Sequence, residues 1–210
     1  MADPVFRWPV VLRHEALVLR PFQRSDEAVY TEIRARNHAW FRPWDATPPP
    51  EAGRPVYSFS DMVRNQQQLA KECRALPWAL TWDDGWPARP SKRTRVIGQV
   101  GVNGIYWGSA RSATIGYWID EAWAGRGLVP LGVAMAVDYC FSQLAMHRLE
   151  IDVLPENAPS HRVVEKLGFT PDGTRRSILH INGAWRDHDA YVMTVDQAPQ
   201  SLVARVSGLA

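Results

Sequence analysis

The chain has 210 residues, 46% of them hydrophobic and 22% charged, and its formal net charge is +2. These proportions are those of a folded globular protein, and so small a net charge gives no reason to expect a nucleic acid or an anionic membrane as partner. No apolar run approaches the roughly 18 residues of a membrane span, and residues 1–15 lack the apolar core and cleavage site of a signal peptide. We therefore expect a cytoplasmic protein.

The cysteine content predicts neither a disulfide framework nor a zinc site, so no metal is expected. Only Cys73 and Cys140 occur, each within a stretch predicted to be helical, and two isolated thiols fall short of either arrangement. Cys140 has no neighbouring histidine or base, which favours a core residue over a nucleophile. The ten tryptophans fit either large core and rim side chains or the walls of an aromatic substrate cleft.

The first half of the chain predicts a strand, two helices and two further strands. Residues 15–22 alternate apolar and polar side chains as a half-buried strand does. Ser25 is expected to cap a helix over 25–37, and a second helix is expected within 58–75. The proline-rich segment 43–55 between them is expected to hold no regular structure.

The two strands of this half are expected within 77–84 and 95–108. A basic loop over 85–95 joins them. It fits either a mobile hairpin loop or a basic extension that contacts an acidic partner.

The second half alternates strands and helices. A strand over 113–120 leads through a glycine turn to a helix beginning at Pro130, and a strand over 147–155 leads to a helix that Gly168 ends. Two last strands are joined by Asn-Gly, a strong hairpin signal, and the tail after Val195 is expected to be loosely ordered. The order predicts one α/β domain over 1–210, with about four helices and a largely antiparallel sheet containing one parallel crossover.

The glycine turn, "EAWAGRGLVP", has the features of an anion site. The first N–H groups of a helix lack internal partners, and the helix dipole adds partial positive charge there. Gly125 and Gly127 remove side chains that would hold a phosphate away, and Arg126 adds a formal charge. The alternative is a tight turn that only ends a strand.

A second motif, "NAPSHRVVEKLGF" over 157–169, follows the next strand and opens another helix. Together the two motifs resemble the GNAT superfamily of acyl-CoA N-acyltransferases, and within it the RimJ/RimL type that acetylates ribosomal-protein N-termini. The closing hairpin is also similar, and the resemblance extends over about 17–195. It departs from the superfamily pattern at Ala124 and Val129, and no tyrosine stands among residues 163–165.

The resemblance implies a sheet that splays at its central strands, with acetyl-CoA held between them and along the glycine turn. It also implies backbone donors near Trp118 and Ile119 for the acetyl carbonyl, a favourable arrangement because preorganised donors stabilise developing charge strongly. The residues expected to bind the coenzyme are Trp118, Ile119, Gly125, Arg126, Gly127, Leu128, Val129, Asn157 and Ser160. Ser160 is expected to hydrogen-bond to the departing sulfur.

For the base that deprotonates the amine, Glu150 and Asp152 are the leading candidates. They lie two apart on a predicted strand and therefore on one face, where a carboxylate pair beside an apolar cleft raises at least one pKa. Asp152 precedes Asn157 by five residues, similar to the catalytic glutamate of RimI-type relatives. The alternative is a solvated face or an ion pair with Arg148. Tyr117 and His188 are second-rank proton carriers.

The acceptor is expected to be the N-terminal α-amine of a protein, because an α-amine has a pKa near 8 whereas that of lysine is about 10.4. The RimJ-like resemblance implies an N-terminal alanine or serine, and a ribosomal protein as partner. A small-molecule amine acetyltransferase acting on an aminoglycoside or a polyamine, and a non-catalytic acyl-CoA-binding module, are the alternatives. A monomer and a homodimer both stay open.

Overall fold

The computed structural model describes residues 7–52, 58–91, 93–198 and 201–208. Within them, eight strands form one mixed sheet in the order β1-β2-β3-β4-β5-β6-β8-β7. The strands are Leu12–His14 (β1), Leu17–Pro21 (β2), Leu76–Trp82 (β3), Arg95–Tyr106 (β4), Ser112–Ile119 (β5), Arg148–Val153 (β6), Thr170–Ile181 (β7) and Ala184–Thr194 (β8). The helices are Glu27–Arg36 (α1), His38–Phe41 (α2), Phe59–Lys71 (α3), Leu128–Leu144 (α4), Ala158–Leu167 (α5) and Leu202–Ser207 (α6).

The sheet carries helices on both faces, and this is the predicted α/β architecture. Every neighbouring pair of strands is antiparallel except β5 and β6, which α4 connects as the one parallel crossover. The larger hydrophobic core lies between the sheet and helices α4, α5 and α6. A smaller core lies on the opposite face, where α1, α2 and α3 contribute Ile33, Phe41, Phe59 and Val63.

The start of α1 differs from the prediction that Ser25 caps it. A short 3-10 turn over Arg24–Asp26 precedes the helix, and the Asp26 carboxylate accepts the N–H of Gln23 at 2.8 Å. The same carboxylate pairs with the buried guanidinium of Arg20 at 2.7 Å. Asp26 is thus the residue that immediately precedes α1, and its side chain makes no capping hydrogen bond to the helix itself.

The two cysteines occupy different environments. Cys73 lies beyond the end of α3 with a φ of 55°, so its predicted helical position was wrong. Cys140 lies within α4 and is fully buried, and burial raises the pKa of its thiol to about 12. The thiol therefore stays protonated at neutral pH, as expected for a core residue.

The tail after β8 is ordered where the structure describes it, which overturns the predicted loose order. Leu202 and Val206 of α6 are buried against the main core. The Asp138 carboxylate of α4 accepts the N–H groups of Leu202 at 2.8 Å and Val203 at 3.1 Å. A helix of six residues is too short to give a clear pattern in a sequence, and its burial depends on contacts with α4.

The basic loop between β3 and β4 is anchored at its base rather than detached. The buried Asp83 carboxylate accepts from the Arg13 guanidinium at 2.8 Å and from the N–H groups of Gly85 and Ser91 at 3.1 and 2.9 Å. The proline-rich segment is largely irregular where it is described, but it contains a short 3-10 turn over Pro50–Ala52, and Ala46 bridges to Ile181 on the closing hairpin. Residues 53–57 and 92 of these two segments lie outside the described residues. None of the described helices is long and apolar enough to cross a membrane.

Candidate active site

The central feature of the sheet is a gap between β5 and β6. These parallel strands pair at Ser112 with Arg148, at Ala113 with Leu149 and at Thr114 with Glu150. Beyond Thr114, β5 continues to Ile119 and β6 to Val153, and no further pairing joins them within the described chain. The expected splay is therefore present, and it leaves strand edges available to a ligand.

The two faces of the gap carry different chemistry. Residues in register on parallel strands point to the same face, and side chains alternate along each strand. Trp118 and Asp152 therefore lie on the face that α1–α3 cover. Tyr117 lies with Ile151 on the opposite face, which α4 and α5 cover.

The glycine turn presents unused backbone donors. Gly125 and Gly127 adopt φ of 76° and 75°, a conformation that favours glycine. The first helical hydrogen bond of α4 runs from the Leu131 N–H to the Gly127 carbonyl at 3.2 Å. Among the described residues, nothing accepts the N–H groups of 125–129, and a Cβ at Gly125 would meet nothing within 4 Å. The turn therefore fits a bound anion such as a coenzyme diphosphate.

Helix α1 fixes this turn in place, a contact that sequence analysis missed. Asp120 is 3% exposed, and its carboxylate accepts from Arg36 at 2.6 Å and from the side-chain amide of Asn37 at 3.0 Å. The side-chain oxygen of Asn37, Oδ1, in turn accepts the N–H of Glu121 at 3.1 Å. These residues lie more than 80 positions apart, so no local pattern could have indicated the contact.

Two cations lie close to the turn, and only one was predicted. Arg126 donates to the Ala122 carbonyl at 2.9 Å and stacks over the Trp123 ring, with its guanidinium 4.9 Å from the ring centroid. Lys166 of α5 places its ammonium 3.9 Å from the position that a Cβ on Gly127 would occupy. Lys166 is thus a candidate anion ligand. The sequence did not indicate this role, because a lysine on an amphipathic helix is ordinarily a solvent-exposed residue.

Glu150 is neutralised by two arginines. Its carboxylate accepts from Arg148 Nε at 2.5 Å and from the Arg175 guanidinium. Burial favours the neutral form, but the hydrogen bonds from Arg148 and Arg175 outweigh burial and lower the pKa of Glu150. An ion pair with Arg148 was the alternative to a catalytic base in the sequence analysis. That ion pair is present, and it makes Glu150 a poor base.

Asp152 is in a different state from Glu150. Arg175 reaches only one of its oxygens, Oδ2, at 3.1 Å. The other oxygen, Oδ1, is buried and has no hydrogen-bond partner among the described residues. Burial raises the pKa of Asp152 above its usual value, and the charge of Arg175 opposes this rise only in part. His188, the other second-rank candidate on this side, is buried and joined to the Arg186 carbonyl at 3.2 Å.

Tyr117 and Ser160 meet on the other face. The Tyr117 hydroxyl is buried, and burial raises its pKa to about 12. The Ser160 hydroxyl is near enough to oppose that rise, although no hydrogen bond of good geometry joins the two groups. Asn157 accepts the Ser160 N–H at 3.2 Å and so caps α5, which accounts for Asn157 as a structural residue.

The backbone of β5 favours Ile119 over Trp118 as a donor into the gap. The Asp120 N–H donates to Ile97 of β4 at 2.8 Å. Because successive N–H groups of a strand point to opposite edges, the Ile119 N–H points to the gap and that of Trp118 to β4. The Trp118 ring instead packs edge-on against Tyr30 and Phe41, forming an aromatic wall on the face of the sheet that also carries Asp152.

The comparisons with known proteins agree with this geometry. Residues 16–170 match the family model described as an acetyltransferase (GNAT) domain. Probable N-acetyltransferase YjcK of Bacillus subtilis is 44% identical over 94 residues, which make up 45% of this chain and 52% of that protein. The ribosomal protein uS5-alanine N-acetyltransferase of Escherichia coli is 30% identical over 99 residues, or 47% of this chain and 51% of that protein. The chain thus spans about half the length of these curated relatives.

A solved structure extends the likeness over nearly the whole chain. RimJ of Mycobacterium smegmatis, in complex with CoA-disulfide, is similar to this protein with a TM-score of 0.85 and 28% sequence identity. The similarity covers 99% of this chain and 97% of that one. It therefore includes α6 and the closing hairpin as well as the segments around the gap.

Proposed function

The chain belongs to the GNAT acetyltransferase family, and we propose that it acetylates the N-terminal α-amine of a protein. The donor is acetyl-CoA. The observation that carries the proposal is the gap between β5 and β6, which has free backbone donors at one end and a buried, half-paired carboxylate on the acceptor face. The likeness to a RimJ over nearly the full chain supports a ribosomal protein as the acceptor class.

The coenzyme is proposed to bind where the structure leaves donors unused. The N–H groups of residues 125–129, with Lys166 and Arg126 nearby, suit its diphosphate, and the Ile119 N–H suits the acetyl carbonyl. When bound, acetyl-CoA supplies a thioester whose acetyl group passes to the amine while the carbon–sulfur bond breaks and the sulfur departs as a thiolate. The weakened glycine motif at Ala124 and Val129 does not prevent this, because the donors are main-chain groups.

Asp152 is proposed to take the proton that the amine loses. Its Oδ1 has no partner to release before it accepts a hydrogen bond, and its raised pKa brings it closer to the working pH than an ordinary carboxylate. Glu150 is proposed to hold Arg148 and Arg175 rather than to act as a base. The proton balance is then one proton from nitrogen to Asp152 Oδ1 for each acetyl group transferred.

The charges beside Asp152 favour a monoamine over a polycation. Glu150 and Asp152 are paired with Arg148 and Arg175. Arg148 also pairs with the more exposed Asp172, so the cluster as a whole carries a formal excess of one negative charge. An aminoglycoside or a polyamine carries several positive charges and would need a larger excess. A single α-amine beside an aromatic wall does not.

The experiment is an acetyl-CoA turnover assay with peptides beginning in Ala, Ser or Met, compared with spermidine and an aminoglycoside. We expect turnover on a peptide with N-terminal Ala or Ser to exceed that on the free amines. Higher turnover on a free amine would establish the small-molecule alternative. Stoichiometric CoA binding without any turnover would establish the non-catalytic module.

The assignment of the base is tested by Asp152→Asn. We expect kcat to fall about 10²–10⁴-fold, the usual contribution of a general base, with the Kd of CoA unchanged. Glu150→Gln is the control and is expected to cost less than about tenfold. Equal losses in the two variants would contradict the assignment.

A further inference from the structure

The structure leaves three buried side-chain oxygens without hydrogen-bond partners among the described residues: Gln66 Oε1, the Tyr117 hydroxyl and Asp152 Oδ1. Such atoms are rare in folded proteins because each one costs the desolvation of a polar group. Two of the three lie on β5 and β6, the strands that border the gap. Asp152 Oδ1 is used in the proposed function, whereas the Tyr117 hydroxyl has no role there.

The Tyr117 hydroxyl lies on the face of the gap that α4 and α5 cover, opposite the face that carries Asp152. Its side chain packs with the core that α4 and α5 cover, and Ser160 stands in the first turn of α5. Asn157 accepts the Ser160 N–H and so holds this turn. Among the described residues the Ser160 Oγ makes no hydrogen bond of good geometry, and it is near enough to the Tyr117 hydroxyl to oppose the rise of its pKa. Two hydroxyls without a hydrogen-bond acceptor therefore lie close together at the N-terminal end of a helix.

We propose that Tyr117 is a positioning residue that acts through Ser160, by donating a hydrogen bond to Ser160 Oγ so that the serine hydrogen points at the coenzyme sulfur. The proposal rests on the proposed acetyl transfer. Ser160 accepts one hydrogen bond and donates one, and this polarises its O–H toward a sulfur that gains negative charge. No proton is transferred in this arrangement.

The state of the phenol fits a donor rather than an acid. Burial keeps it protonated at neutral pH, and it is a weaker acid than a free thiol, whose pKa is near 8.5. Full proton transfer from Tyr117 to a thiolate would therefore be uphill. A pair of hydrogen bonds lowers the energy of the thiolate without that transfer.

The test is the binding of CoA and of dethio-CoA, which lacks the sulfur, measured by calorimetry at pH 7 and pH 9. Thiols are ionised to a greater extent at pH 9 than at pH 7, since their pKa values lie at or above the reference value of about 8.5 for cysteine. We expect Tyr117→Phe and Ser160→Ala each to weaken CoA binding about tenfold at pH 9, the lower end of what a hydrogen bond to a charged group contributes. Neither substitution is expected to change the affinity for dethio-CoA at either pH.

Tyr139→Phe is the matched control, because it also removes a phenol whose pKa burial raises, on a ring that packs edge-on against Trp78. It is expected to leave the ratio of CoA to dethio-CoA affinity as in the natural protein. If Tyr117→Phe weakens the binding of both ligands equally, or of neither, the proposed relay of hydrogen bonds from Tyr117 through Ser160 to the sulfur is wrong, and the tyrosine only packs. If Tyr117→Phe does not fold, the ratio in Ser160→Ala decides, since an unchanged ratio there also overturns the relay. Failure of the proposed function would appear in the turnover assay, as preferred turnover of a free amine or as no turnover at all, whereas the role of Tyr117 is judged only by the ratio of the two affinities.

Discussion

Replacing Arg175 with glutamine removes the guanidinium that pairs with Asp152, and we expect it to move the acidic limb of the pH–rate profile to higher pH. Arg175 donates to Asp152 Oδ2 at 3.1 Å and so favours the ionised carboxylate. Burial already raises the pKa of Asp152, and Glu150 raises it further. Without Arg175 these two effects are opposed more weakly, through His188, so the carboxylate holds its proton to a higher pH.

The size of the shift follows from the geometry. At 3.1 Å and an effective dielectric constant near 20, two unit charges attract by about 5 kcal/mol. The Arg175 side chain is 29% exposed and also serves Glu150, so solvent and the second carboxylate reduce this figure. Nearby opposite charges shift carboxyl pKa values by about 1–3 units, and we expect the midpoint of the limb to rise by that amount.

The assay is kcat/KM for one peptide from pH 5 to pH 9. The acceptor amine titrates identically with every variant, so the difference between profiles reports the enzyme. Arg175→Lys should restore most of the midpoint, and Arg176→Gln, which removes an exposed neighbouring arginine, should leave it in place. An unchanged midpoint in a folded Arg175→Gln protein would refute either Asp152 as the base or Arg175 as its partner.

Two further predictions concern the turn and the tail. Lys166→Ala is expected to weaken CoA binding about tenfold, and less at high salt because screening reduces the contribution of the charge, since its ammonium lies beside Gly127. Calorimetry measures the loss, Lys71→Ala on α3 is the control, and equal affinities would remove Lys166 from the coenzyme site. Leu202→Ala is expected to lower the free energy of unfolding by about 2–3 kcal/mol, because a buried leucine leaves a cavity. Urea denaturation measures it against the exposed Leu179→Ala, and matching midpoints would mean that α6 does not contribute to the core.

Local patterns predicted most of the elements. The hairpin at Asn182 and Gly183 forms with both residues at positive φ, because Asn-Gly is suited to that conformation. Gly168 ends α5 in the left-handed conformation, and Ser58 caps α3 by accepting the Asp61 N–H. In each case the residues that decide the outcome are adjacent in the chain. Where the deciding partner was remote, as with Asp138 for Leu202 and Val203 of the tail, the local prediction failed.

The sequence by itself determined the α/β class, the parallel crossover and the two motifs that border the coenzyme site, because periodicity, glycine positions and helix capping are local properties. It also placed Glu150 and Asp152 on one face, since alternation along a strand needs no neighbour. Only the tertiary structure distinguished the two carboxylates. Their opposite pKa shifts depend on burial and on Arg175, and β7, which lies two strands from β6 in the sheet, brings that charge from more than 20 residues away.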